Sequence, residues 1–128
     1  MIEIKFIYTC VRHNGHTFSS SPFTLEDIED GHVTAWYQLN SVSGEVYKRM
    51  YTGLKDKKGV EIYGDDIIHS LYSDGSDCRH IVKWVDSDAR FKIFDLKRGY
   101  DCGGISQDWI HENEKEVIGN TRQNPELL

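Results

Sequence analysis

Tyr51-Thr52-Gly53-Leu54-Lys55-Asp56-Lys57-Lys58-Gly59-Val60-Glu61-Ile62-Tyr63, running on into Gly64-Asp65-Asp66-Ile67-Ile68, is a turn held between β-compatible runs. Asp56 and Gly59 take the first and last places of a four-residue turn, where Asp bonds the backbone and Gly tolerates positive φ. The stretch predicts a hairpin feeding a further strand. It holds no nucleophile, ligand cluster or phosphate loop, so it speaks to shape and not to chemistry.

Outward from this hairpin the same pattern recurs. Residues 2–8 place Ile2, Ile4, Phe6 and Tyr8 on one face, the period of a strand. Asn14-Gly15 predicts a hairpin tip, with Thr17-Phe18 returning beside the first strand. Thr24 and Asp27 form a capping pair for a short helix over Leu25–Asp30, stopped by Gly31. Alternation from His32 to Leu39 predicts a strand, and after Ser43-Gly44 another over Glu45–Tyr51. Further strands are expected at Ile67–Tyr72, Arg79–Val85 and Arg90–Leu96, joined by polar turns at Asp74-Gly75-Ser76-Asp77 and Asp86-Ser87-Asp88-Ala89. Residues 99–104, rich in glycine, read as irregular. Ser106 caps a short helix through His111, and Lys115–Ile118 is a last strand ended by Gly119. Pro125 suits a final turn, with Leu127-Leu128 folding back on apolar surface. The expected fold is mainly β, all-β or α+β with one or two short helices. The strands are antiparallel in a compact barrel-like form, and the pattern around Val82-Lys83-Trp84 is similar to SH3-like barrels.

At 128 residues the chain suits one domain over 1–128, with a possible seam near Met50. Apolar content of 38% is too high for a disordered chain. No run approaches the roughly 18 apolar residues of a membrane span. The start Met1-Ile2-Glu3-Ile4-Lys5 lacks the basic head and apolar block of a signal peptide, so a cytoplasmic location is expected. Cys10, Cys78 and Cys102, odd in number and widely spaced, are expected as free thiols. The formal charge of −6 argues against nonspecific nucleic-acid binding. Within it, residues 100–128 carry 2 basic and 6 acidic groups. Lys55, Lys57 and Lys58 are a local basic cluster, read chiefly as solubilising charge.

Several constellations bear on chemistry. Cys10, His13 and His16 offer C-x2-H-x2-H, but Asn14-Gly15 already accounts for the segment as a hairpin tip, and a zinc framework needs more ligands. Asp65-Asp66 and Asp86 with Asp88 are carboxylate pairs in turn contexts that favour Asp for its backbone bonds. Gly99, Gly103 and Gly104 lack the lysine and hydroxyl of a phosphate loop. No Ser-His-Asp or Cys-His arrangement has supporting context. No catalytic residue, metal ligand or cofactor is assigned, which points away from an enzyme. Trp84 on its alternating strand is expected in the core and Trp36 partly exposed. Trp109, among charges, suits a protein–protein patch.

Two runs carry a family resemblance. Tyr51–Gly59 with Glu61-Ile62-Tyr63 resembles the central signature of the YopX family. Glu116-Val117-Ile118-Gly119-Asn120, then Asn124-Pro125-Glu126-Leu127-Leu128, resembles its closing signature, and Ile4-Lys5-Phe6 is weakly similar to its start. The chain departs from the pattern at one place. The family has an acidic residue, then Gly, then Asp after the Ile-Tyr pair, whereas here Gly64 comes first and Asp65 stands where the glycine is expected. The resemblance implies phage or prophage origin, a mainly β fold and no assigned activity.

The resulting expectation is a phage accessory protein that binds another macromolecule, a host or phage protein, without catalysis. The surface named for a basic partner is Asp101, Asp108, Glu112 and Glu114 around Trp109. A small metal-dependent enzyme and a nucleic-acid module reading through Lys55, Lys57 and Lys58 are the alternatives. A homo-oligomer paired through exposed strand edges is also compatible with the sequence.

Overall fold

Turn chemistry lays out the backbone of the computed structural model, which describes residues 3–128. At Asn14-Gly15 the Asn14 Oδ1 accepts the His16 N–H at 2.9 Å and Gly15 takes φ +84°. This returns β1 (Lys5–Val11) into β2 (Thr17–Ser19). At the central hairpin Asp56 Oδ1 accepts the N–H groups of Lys58 and Val60 at 2.8 and 2.9 Å, and Gly59 has φ +82°. That turn joins β4 (Glu45–Lys55) to β5 (Glu61–Tyr63). With β3 (Phe23–Thr24) on β1, these strands form one antiparallel sheet in the order β2-β1-β4-β5.

The second sheet contains β6 (Asp66–Leu71), β7 (Asp77–Val85), β8 (Arg90–Asp95), β9 (Asp101–Gly104) and β10 (Glu116–Asn120). Its order is β10-β6-β7-β8-β9, again antiparallel, and the strands curl into a half-barrel. The mainly β reading therefore holds. Alternation along β7 and β8 sets Val82 opposite Ile93 on the concave face. There they pack with Ile62, Ile68 and Ile110 as the buried core, and each such side chain contributes about 2 kcal/mol on leaving water. Ile110 comes from α3 (Gln107–His111), whose Ser106 cap accepts the Trp109 N–H at 3.2 Å. β4 runs unbroken through Met50, pairing with β1 before it and β5 after it.

The Thr24–Asp27 capping box forms in both directions and starts α1 (Leu25–Glu29); Gly31, at φ +83°, breaks it. The segment beyond Gly31 corrects the sequence reading. His32–Leu39 is a helix, α2, and not a strand. Its half-buried residues are Val33 and Trp36, three apart, and Trp36 packs on Tyr8 and Phe18 at 6.1 and 5.6 Å between ring centroids. Eight residues with aromatics at mixed spacing fit either period. Sheet contacts decide it, because β1 is already flanked by β2, β3 and β4.

Smaller corrections have the same kind of cause. Asp101–Gly104, expected as irregular, is β9, because the register against β8 shifts between Lys92 and Phe94 to admit its glycines. Gly119 lies inside β10, beside a bulge at Val117, instead of ending it. The first strand runs to Val11, and the part expected at residue 2 falls outside the described residues. Trp84 is not core: it lies one residue from the end of β7, against Phe91 and beside Asp86, and remains 47% exposed. Among the described residues no helix is long and apolar enough to cross a membrane.

Candidate functional site

The ring at the centre of the expected acidic surface is half-buried. Trp109 turns inward, edge-on to His80 at 5.2 Å, with the Lys115 ammonium 4.4 Å from its centroid. Burial pulls both the His80 imidazole and the Lys115 amine below their ordinary values. Asp101 lies on β9, held by Lys92 at 2.8 Å, and Glu114 faces Lys57 at 3.4 Å. Asp108 and Glu112 stay exposed on and just after α3. The basic cluster on the central turn is likewise engaged, since Lys58 pairs with Glu116 at 2.9 Å.

Other candidates are dispersed. Cys10 is fully buried and donates to the Ser43 carbonyl at 3.2 Å, whereas His13 and His16 are exposed on the hairpin. Among the described residues, no three His, Cys, Asp or Glu side chains gather as a metal cluster. Asp86 accepts the Trp84 indole N–H at 2.6 Å, while Asp88 pairs with Lys92. Asp65 and Asp66 diverge. Asp66 is buried and bonds Arg49 Nη1 at 2.8 Å and the Tyr63 N–H at 2.8 Å. Burial pushes its carboxyl up to about 6, against the pull of those two donors. Cys78 lies 3.6 Å from the Nδ1 of His80, and Asp95, opposite His80, accepts the Tyr72 hydroxyl at 2.9 Å. Cys78 and His80 are buried.

A cleft of about 430 Å³ where the two sheets meet gathers aromatic and charged side chains, as does a larger one of about 920 Å³ lined by Tyr72, Asp77, Arg79, Asp95, Lys97 and Arg98. To the smaller cleft β4 supplies Lys48, Arg49 and Met50; the β5–β6 turn supplies Gly64 and Asp65. β7 and β8 add Lys83, Trp84 and Phe91, and Arg122 arrives from the segment after β10. Trp84 stacks edge-to-face on Phe91 at 5.2 Å and is pinned by its bond to Asp86, so the ring is fixed as well as exposed. Arg122 donates from Nε to Asp65 Oδ2 at 3.1 Å, and its guanidinium lies 3.7 Å from the Tyr47 ring centroid.

Asp65 adopts φ +71°, a left-handed backbone that Asp tolerates and glycine prefers. The departure seen in the sequence thus falls on a position whose geometry asks for glycine. In place of that freedom the chain has a carboxylate that holds Arg122. Sequence reasoning missed Trp84, Arg122 and Lys48 as a group; the one signal for them was the misplaced aspartate.

The two signature runs are also in contact. Asp56, from the central run, accepts the Val117 N–H of the closing run at 3.0 Å through its second carboxylate oxygen. The family model described as YopX protein matches residues 10–128. The chain belongs to the YopX family. Its structure is similar to the crystal structure of protein EF1440 from Enterococcus faecalis, with a TM-score of 0.58 and 20% sequence identity. That likeness covers 100% of this chain and 99% of the other, and it shows the shared fold of this YopX protein. No curated protein matches the sequence.

Proposed function

We propose that this YopX protein is a non-enzymatic, phage- or prophage-encoded accessory module that docks a host or phage protein in the bacterial cytoplasm. The docking point is the cleft around Trp84. One observation carries the reading: Trp84 is a large ring, 47% exposed yet held in place by Phe91 and Asp86, at the mouth of a cleft. A rigid aromatic loses little entropy on binding, and such residues dominate interface energies, commonly with about 2 kcal/mol or more each. The ionisable groups support binding over catalysis, because Asp66, Asp86 and Asp88 each engage a neighbouring side chain instead of converging on open space.

The test is affinity capture from bacterial cells with wild-type protein and two sets of variants. Trp84→Ala and Lys48→Glu are expected to lose the captured protein, while Asp108→Lys with Glu112→Lys keeps it. Loss only in the second set would move the docking surface to the acidic face next to α3. Recovery that no variant alters would remove the reading.

A further inference from the structure

We infer that the cleft recognises a carboxylate, and that its occupant is a short acidic segment of a partner protein with an apolar or aromatic residue beside the acid. The inference rests on the docking reading above and names the chemistry of that partner.

Arg122 carries it. A guanidinium is a planar fork of donors that matches a carboxylate in two parallel bonds, provided the plane is fixed beforehand. Two contacts fix it: stacking on Tyr47 and the single Nε bond to Asp65. Both Nη nitrogens carry no bond to a described residue, and the side chain is about a third exposed at the cleft. The Asp65 backbone is held in its strained conformation by bonds at both ends. Its N–H donates to the Val82 carbonyl at 2.7 Å, and its own carbonyl accepts the Thr121 N–H at 2.9 Å. Strain retained in this way at a ligand-facing position is characteristic of preorganised sites. Here it aims the fork.

The surrounding charges select the occupant. Lys48, Lys83 and Arg122 line the cleft, with Asp65 and, at the Trp84 indole, Asp86 as the opposing acids, and Arg49 is neutralised by Asp66. Lys48 and Lys83 have no carboxylate within salt-bridge distance among the described residues; Lys48 rests over Phe6 at 4.2 Å. This is a local positive site in a chain of net charge −6. Of the cations on the central turn, Lys57 and Lys58 are already paired with Glu114 and Glu116. On a chain of net charge −6 a long polyanion is repelled beyond the cleft, whereas one or two side-chain carboxylates find a fork and an ammonium. The exposed face of Trp84 then takes the adjoining apolar residue.

The experiment measures fluorescence anisotropy of a fluorescein-labelled, end-capped peptide of sequence EEFEE, its all-glutamine analogue QQFQQ, and a ten-residue oligothymidylate. Wild type is expected to bind EEFEE saturably and at least tenfold tighter than either other probe. Arg122→Lys keeps the charge but loses the fork, and weakens binding at least tenfold; Trp84→Ala does the same. Asp65→Gly relieves the backbone and releases the fork, so it weakens binding three- to tenfold while the melting temperature holds or rises. Equal binding of QQFQQ, full affinity in Arg122→Lys, or tighter binding of the oligothymidylate overturns the inference. Loss of the captured protein by Trp84→Ala without EEFEE binding overturns the acid specificity and leaves the docking reading standing. Unchanged capture by Trp84→Ala overturns both.

Discussion

Replacing Arg49 with methionine removes a buried cation that ties the two sheets together. Arg49 Nε donates to Thr9 Oγ1 at 3.0 Å on β1; Nη1 donates to the Gly64 carbonyl at 3.2 Å and to Asp66 Oδ1 at 2.8 Å on β6. Methionine fills much of the same volume, so the loss is electrostatic and leaves Asp66 buried without its counter-charge. Breaking one side of a buried pair costs about 3–5 kcal/mol. With an unfolding entropy of about 2.1 cal/mol/K per residue, that lowers the melting temperature by about 11–19 °C. The cost depends on pH, with a definite sign. The folded-state value of Asp66 lies at about 6, above its unfolded one. Its protonation therefore favours the folded chain fully below the unfolded value, and this advantage is lost as pH rises through about 6. Without Arg49 the carboxyl is driven higher still. At pH 5 it is neutral in the variant and the penalty shrinks, whereas at pH 8 the penalty is larger, because the variant must either bury the charge or take up a proton. Thermal melts of wild type and Arg49→Met at both values isolate the effect, because every other carboxylate is common to the two proteins. Arg49→Met with Asp66→Asn should recover most of the loss at pH 8. An equal penalty at pH 5 and pH 8, or a double variant no more stable than the single one, would refute the reasoning.

Three further expectations concern the frame. Asp56→Ala deprives the Lys58, Val60 and Val117 N–H groups of their acceptor and should cost about 2–3 kcal/mol by urea unfolding. A loss below about 0.5 kcal/mol would mean that water replaces the carboxylate at all three. Gly119→Ala puts a methyl 2.5 Å from Asn124 Oδ1, which is itself fixed by the Asn120 N–H, and should destabilise by about 1–3 kcal/mol in the same assay. Ala89 sits at φ +48° after the β7–β8 turn, so Ala89→Gly should be neutral or raise stability by up to about 1 kcal/mol; a drop in melting temperature would contradict that.

The amino-acid sequence by itself determined the punctuation of this protein. Asn14-Gly15, Asp56–Gly59, the Thr24–Asp27 box and the Ser106 cap each act within four residues. Their hydrogen bonds are therefore open to local reading before any sheet exists. Hairpin neighbours such as β1–β2 and β4–β5 came from those turns, whereas β1–β4 and β10–β6 pair across long stretches of chain. Tertiary structure decided what lay on each face. Whether His32–Leu39 became helix or strand depended on the edges of β1 being occupied. Whether Trp84 or Trp109 faced outward depended on the side chains that met each ring, Phe91 and Asp86 for one, His80 and Lys115 for the other. The candidate site was the least legible part, because Arg122 meets Asp65 across 57 positions and Lys48 reaches the same cleft from another sheet. Charge pairing and exposure are properties of distant segments brought together, and no local period encodes them. Only the aspartate in a glycine's place marked the site in one dimension, and its meaning appeared once the backbone was seen to be left-handed there.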